Sequence, residues 1–218
     1  MARPRAFDEQ DVLEAAGQAF WSRGYEGTST RDLVKATGLS QPSLYNAFGD
    51  KRGLFHAALE RYLDQTARER ITRIETALPP AQALSSYLGE IVELSLADPQ
   101  KRGCLLVNAT LEITPDHAEF RETVAGSFTM IRDFFVRCLS AAQQAGDIAP
   151  TIPVEDAATH LLATMLGTRV LARLDPGRAV LTAALGSALA LLGLPPLSAQ
   201  STLSAPPDTA APAVADSG

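Results

Sequence analysis

Residues 28–51, Thr28-Ser-Thr-Arg-Asp-Leu-Val-Lys-Ala-Thr-Gly-Leu-Ser-Gln-Pro-Ser-Leu-Tyr-Asn-Ala-Phe-Gly-Asp-Lys51, constrain the fold more than any other stretch. They fit two short helices and a tight glycine turn into one unit. Ser29 and Asp32 have the spacing at which a hydroxyl and a carboxylate satisfy each other's orphan backbone donors, which starts the first helix. Gly38 ends it. Leu39 anchors the turn, and Ser40 caps a second helix whose Pro42 sits in the first turn, where a missing N–H costs nothing. Gln41 and Ser43 lie at its polar start, while Leu44, Ala47 and Phe48 fall at the spacing of an inner face. Gly49 stops the helix and Asp50 caps the next. The unit reads as a helix-turn-helix that turns a polar helix outward, with Leu33, Leu44 and Phe48 assigned to the core.

The charge balance tests that reading. The 218-residue chain has a net charge of −6, an unusual excess of acid for a nucleic-acid binder. Residues 1–52, however, carry seven basic and seven acidic side chains, and the remainder twelve and eighteen. The excess therefore lies outside the motif. Arg3 and Arg5 on the N-terminal arm, Arg31 and Lys35 on the first motif helix, and Lys51 and Arg52 after the second supply the local charge that phosphate contact requires. An architectural DNA protein would need a strongly basic surface throughout, and the acidic body speaks against it.

Hydrophobic periodicity organises the rest as helices. Phe7 and Val12 flank Asp8 as a hydrophobic staple, and Val12, Ala15, Ala16, Ala19 and Phe20 form one face of a helix that ends at Gly24. From Lys51 one long amphipathic helix carries Phe55, Ala58, Leu59, Tyr62, Ile71, Ile74 and Leu78 up to Pro79-Pro80. Further helices are expected near 81–97, 103–113, 117–145, 153–174 and 176–193. No segment alternates in a strand pattern, so the expected fold class is all-α with about nine helices: a three-helix head and a larger helical body. The expected domains are 1–52, 53–194 and a disordered tail 195–218, rich in Pro, Ala and Ser. Two late helices with Gly167, Ala172, Ala183, Ala184, Gly186 and Ala190 are poor in charge and call for a partner, so a homodimer built on a four-helix seam is expected.

The same residues resemble the TetR/AcrR family of transcriptional regulators. Thr30-Arg31, Gln41-Pro-Ser-Leu-Tyr45 and Lys51 are close to the tetracycline repressor's pattern, and Arg102-Gly-Cys-Leu-Leu-Val-Asn-Ala109 looks like the effector-domain sequence of many AcrR-type members. The resemblance implies that Gln41 reads a base edge, Pro42 touches a thymine methyl, and Tyr45 and Lys51 hold phosphates of a double-stranded DNA operator. Thr30, Arg31, Ser43 and Asn46 complete the expected DNA contacts. The plainer alternative is that Gln41 and Ser43 are solvated first-turn residues. The resemblance also places a small-molecule effector among helices 51–78, 81–97, 103–113 and 117–145. Tyr62, Tyr87, Phe120, Phe128 and Phe134 are candidates for its wall, with core packing as the alternative for each.

Cys104 follows Lys101-Arg102-Gly103 at a helix start, a setting that favours thiolate, whereas Leu105-Leu106-Val107 beside it favours a buried inert thiol. Some family members with this phrase look like electrophile or oxidant sensors, so two signals stand open: a reversible, mostly apolar ligand, which is the expectation, and thiol chemistry at Cys104. Asn108 is placed to hydrogen-bond an effector or to tie two helices. His56, His117 and His160 lack metal-ligand spacing, and Asp116, Glu119 and Glu122 read as first-turn charges complementing a helix dipole. No metal, cofactor or catalytic constellation is expected, which sets aside an enzyme that retains the head. Cys104 and Cys138 do not form a disulfide framework, and no signal-peptide core or membrane-length run is present, so a cytoplasmic protein without membrane contact is expected.

Overall fold

The computed structural model describes residues 7–112 and 118–198, all turns and helices. Nine helices run through the described residues: α1 (Glu9–Arg23), α2 (Thr30–Thr37), α3 (Gln41–Phe48), α4, α5 (Pro80–Ala97), α6 (Leu105–Leu111), α7 (Ala118–Ala145), α8 (Val154–Leu171) and α9 (Arg178–Leu191). Helix α4 is Lys51–Leu63 continued through a π-helical turn, Asp64–Arg68, into Glu69–Ala77. The sequence predicts one uninterrupted α-helix here. The π turn has neither proline nor glycine to announce it, and Leu63, Ala67, Ile71 and Ile74 stay buried through it.

Local chemistry sets the helix ends. Asp8 caps α1 by accepting the Gln10 N–H at 2.8 Å, and the half-buried Phe7 packs against the core as a staple should. Leu33, Leu44, Leu54 and Leu59 are fully buried and join Phe20 and Phe55 in the core of the head. Phe48, expected inside, is only half-buried at the rim of that core. Helix α1 packs against α2 and α4, so the head rests on α4. In the body, α7 packs against α5 and α8, and α9 against α5 and α8. Tyr87, Phe134 and Phe135 form its aromatic centre, with ring centroids 5.1 to 5.7 Å apart.

The C-terminal end departs from expectation. Helix α8 stops at Leu171, a 3-10 turn covers Ala172–Leu174, and Asp175 adopts a left-handed φ of +51° before α9. Residues 195–198, assigned to a disordered tail, lie against the body. Buried Ser85 donates to the Pro195 carbonyl at 2.7 Å, Leu194 is buried, and Leu197 packs on the core. Residues 199–218, the N-terminal arm with Arg3 and Arg5, Asp116, His117 and the Glu119 side chain lie outside the described residues.

Candidate nucleic-acid interface and effector site

The capping box expected from Ser29 and Asp32 is closed in both directions. The Ser29 N–H donates to Asp32 at 3.0 Å and the Asp32 N–H donates to Ser29 Oγ at 3.2 Å. Arg23, at the end of α1, pairs with the same carboxylate. Hydrogen bonds from Ser29, then Arg23, hold the Asp32 carboxyl down at about 2. Gly38 takes the left-handed φ of +70° that the turn requires and returns its N–H to the Val34 carbonyl at 3.0 Å. Ser40 accepts the Ser43 N–H at 3.4 Å and opens α3. No acidic side chain sits in the first turn of α3, so the positive end of the helix faces outward uncompensated.

Along α3, Gln41, Pro42, Ser43 and Asn46 are exposed and Leu44 is buried, so the polar residues stand on one side and the anchor on the other. Arg31 and Lys35 are exposed on α2. Thr30 and Tyr45 are half-buried and join α2 to α3 through their hydroxyls, 2.7 Å apart. Lys51 opens α4 with its ammonium 4.4 Å from the centroid of the Tyr25 ring, a cation–π placement that fixes a long side chain at the edge of the motif. Tyr25 belongs to an aromatic stack with Phe20 and Phe55, and Phe55 in turn meets Phe120 of α7 at 5.0 Å.

Phe120 therefore lies at the head–body junction, where it, Tyr25, Arg52 and Phe55 enclose about 10 Å³, room for one water at most. Tyr87 and Phe134 stack on each other in the body core, and Phe128 is half-buried against the same core. A second hollow, of about 300 Å³, lies on α9 between Thr182, Gly186, Ala190 and the returning Leu194, Pro196 and Leu197.

The expected effector residues Tyr62, Cys104 and Asn108 meet at the start of α6. The Tyr62 hydroxyl lies 3.6 Å from Cys104 Sγ. Asn108 donates to the Arg102 carbonyl at 2.8 Å and accepts from Arg173 at 3.2 Å, so it ties α6 to the end of α8. Sequence reasoning missed Arg169, a buried guanidinium that donates to Ser95 Oγ at 2.8 Å and to the Gly103 carbonyl at 3.0 Å. No carboxylate pairs with it among the described residues. Burial pushes the Cys104 thiol up, but Arg169, the first-turn amides of Val107 and Leu106 and the Tyr62 hydroxyl outweigh it and leave the thiol below its ordinary value. Burial, reinforced by charge on Cys104, raises Tyr62 well above the usual phenol range. A lone arginine in the apolar second half of α8, after Leu161, was the signal for this group. Also unforeseen, Arg70 and Arg73 of α4 share Glu90 of α5 at 3.1 and 2.7 Å.

Among the described residues, no three His, Cys, Asp or Glu side chains are grouped to hold a metal ion, and no helix is long and apolar enough to cross a membrane. Residues 12–58 match the family model of bacterial regulatory proteins of the tetR family, and residues 80–187 match the tetracyclin repressor-like C-terminal domain. The chain is 32% identical over 172 residues to the HTH-type transcriptional repressor ComR of Escherichia coli strain K12, covering 78% of this chain and 82% of that one. It is 27% identical to the repressor DhaR of Mycobacterium sp. strain GP1, over 78% of this chain and 84% of the relative. Among solved structures, a cysteine-substituted TetR family regulator CifR complexed with a 26 bp double-strand operator DNA superposes with a TM-score of 0.78 and 34% identity, covering 89% of this chain and all of that one. The reduced form of NemR from E. coli shares the fold at a TM-score of 0.75 and 19% identity, over 87% of this chain and 99% of that one. With its capped motif, exposed recognition helix and helical body, the chain belongs to the TetR family of helix-turn-helix transcriptional repressors, DNA-binding regulators and not enzymes.

Proposed function

We propose that this repressor binds a palindromic operator as a homodimer and releases it when a small-molecule effector occupies the body. The observation that carries the DNA half is the division of α3, with Gln41, Pro42, Ser43 and Asn46 exposed beside Arg31 while Leu44 anchors the helix. In this reading residues 1–52 form the DNA-binding domain and 53–194 the effector and dimer domain, against which 195–198 pack before the tail. Gln41 reads a base edge, and Lys51, Tyr45, Thr30 and Arg31 hold the backbone. Two recognition helices in successive major grooves need half-sites roughly 34–36 Å apart. An effector that fits another spacing of the heads better lowers DNA affinity by the coupling free energy.

Selection of duplexes from a random pool by the wild-type chain tests the first half. The recovered sequences should be palindromic. On them Gln41→Ala should cost about 1–3 kcal/mol per half-site, and much less on random DNA. Lys51→Ala should weaken binding to both and flatten the salt dependence. Equal losses on both duplexes for Gln41→Ala would remove the base-reading role.

A second reading of the signal is favoured by one specific observation, the buried Arg169 beside Cys104. In this reading an electrophile or oxidant modifies a Cys104 thiolate, and the modified residue no longer fits between Tyr62 and Arg169. Cys104→Ser separates the two, since it abolishes the response under thiol sensing and leaves it intact under reversible ligand binding.

A further inference from the structure

The loop 98–104 between α5 and α6 is gripped from two sides. On the body side, Arg169 holds the Gly103 carbonyl and Asn108 holds the Arg102 carbonyl. Lys101 pairs with Asp175 at 3.1 Å. Both of those residues have a left-handed φ, +52° and +51°, although neither is glycine. Such backbones persist only where the surroundings over-determine them, so the path of this loop is imposed.

On the head side a single side chain makes the reach. Asp98 accepts the Arg102 N–H at 2.7 Å and holds its Nε and Nη2 at 3.2 to 3.3 Å, which fixes the guanidinium plane. Nη1 is left pointing at α1, where it donates to Gln18 Oε1 at 2.6 Å. The same guanidinium lies 4.1 Å from the Trp21 ring, which meets Tyr62 edge-on at 5.4 Å. The Trp21 Nε1–H is buried without an acceptor among the described residues. The indole is therefore seated by Arg102 and Tyr62 and not by a hydrogen bond of its own. From α1 the chain of contacts continues to the motif through Arg23 and Asp32.

We propose that Arg102 is a positioning residue for DNA binding: through Gln18 and Trp21 it sets the seat of α1, so that a change in the loop 98–104 is passed to the recognition helix. The proposal rests on the operator-binding reading above and makes the loop, with Arg102 as its output, a direct route to α1 beside the one that runs through Tyr62 of α4.

Trp21 is the chain's single tryptophan, so intrinsic fluorescence of the full-length protein reports this seat directly. The wild-type emission should change on saturation with a duplex that the wild-type chain selects from a random pool. Arg102→Met should bind that duplex roughly tenfold more weakly and lose the emission change at saturation, while its circular dichroism stays helical. Arg102→Lys, which keeps a cation over the indole, should recover part of both. Should Arg102→Met not fold, Gln18→Leu removes only the α1 side of the contact and is read in the same way. A wild-type emission indifferent to saturating DNA overturns the proposal, as does an Arg102→Met chain with wild-type affinity and response. A wild-type chain that selects no sequence sinks the operator reading and this proposal together, whereas selection without an Arg102 effect sinks this proposal alone.

Discussion

The hydroxyls of Thr30 and Tyr45 lie 2.7 Å apart and join the two helices of the motif by a polar tie, while Leu33 and Leu44 are buried in the core of the head. A phenol donates one hydrogen bond and accepts others, so Tyr45 can keep this tie and still meet a phosphate. Tyr45→Phe retains the ring and should lose about 0.5–1.5 kcal/mol of stability in urea denaturation. Thr30→Val should lose a similar amount. If the tie is real the double variant loses less than the sum, and strictly additive losses would show that the two hydroxyls act independently.

Asp32 gives the motif an acid limit. Its folded-state pKa is depressed to about 2 from an ordinary 3.8 by Ser29 and then Arg23. A depressed carboxylate stabilises the fold above its unfolded value, and that contribution is lost as pH falls through the folded one. Asp32→Asn should therefore be less stable than wild type at neutral pH, and the gap should close between about pH 4 and pH 2. Thermal melts across that window check the sign. A gap that stays constant down to pH 2 would mean that the asparagine disturbs packing and not charge.

The motif was legible because its signals are local. Ser29 with Asp32, Gly38, Ser40 and Asp50 each act within one turn of their own position, and each appears in the structure where the spacing puts it. The helical body was legible from periodicity, but its interior was not. Arg169 meets Ser95, 74 residues away, and Arg102 meets Gln18 at a separation of 84, so neither partner could be read from spacing. The π turn at Asp64–Arg68 escaped because the apolar residues around it suit an ordinary helix as well. The proposed wall residues divided by location, with Tyr62 beside Cys104, Tyr87 and Phe134 in the core, and Phe120 at the head.

The late helices leave several large apolar side chains exposed. Leu174, on the turn between them, is 76% and Leu191 80% exposed, and Val170 and Leu171 of α8 and Val180 of α9 are exposed as well. Large exposed apolar surfaces mark association sites. Ala184 and Gly186 are half-buried on α9, and Gly186 lines the hollow beside Leu194 and Leu197. Ala184→Asp or Gly186→Asp should then yield monomers or insoluble protein in sedimentation, since an unpaired charge in such a seam costs several kcal/mol. An unchanged dimer in both variants would move the seam elsewhere.

The two cysteines should differ sharply in reactivity. Cys138 is buried, and burial followed by the charge of Glu75 pushes its thiol up to about 12. At neutral pH it is a thiol and inert toward iodoacetamide. Cys104 is half-buried and lies below its ordinary value, because Arg169, the amides of α6 and Tyr62 outweigh its burial. Mass spectrometry after limited alkylation at pH 7 should find the label on Cys104 first. Its rate should level off below the pH at which an ordinary thiol ionises, about 8.5. Arg169→Met removes the cation and should move that plateau to higher pH, even if the fold survives intact. Equal labelling of both cysteines, or a Cys104 rate that keeps rising past pH 9, would show that burial wins over Arg169. If Cys104 labels fast but the labelled protein keeps its duplex, the thiolate is a structural partner of Arg169 and the signal is a reversible ligand. Release of the duplex in step with labelling makes Cys104 the sensor.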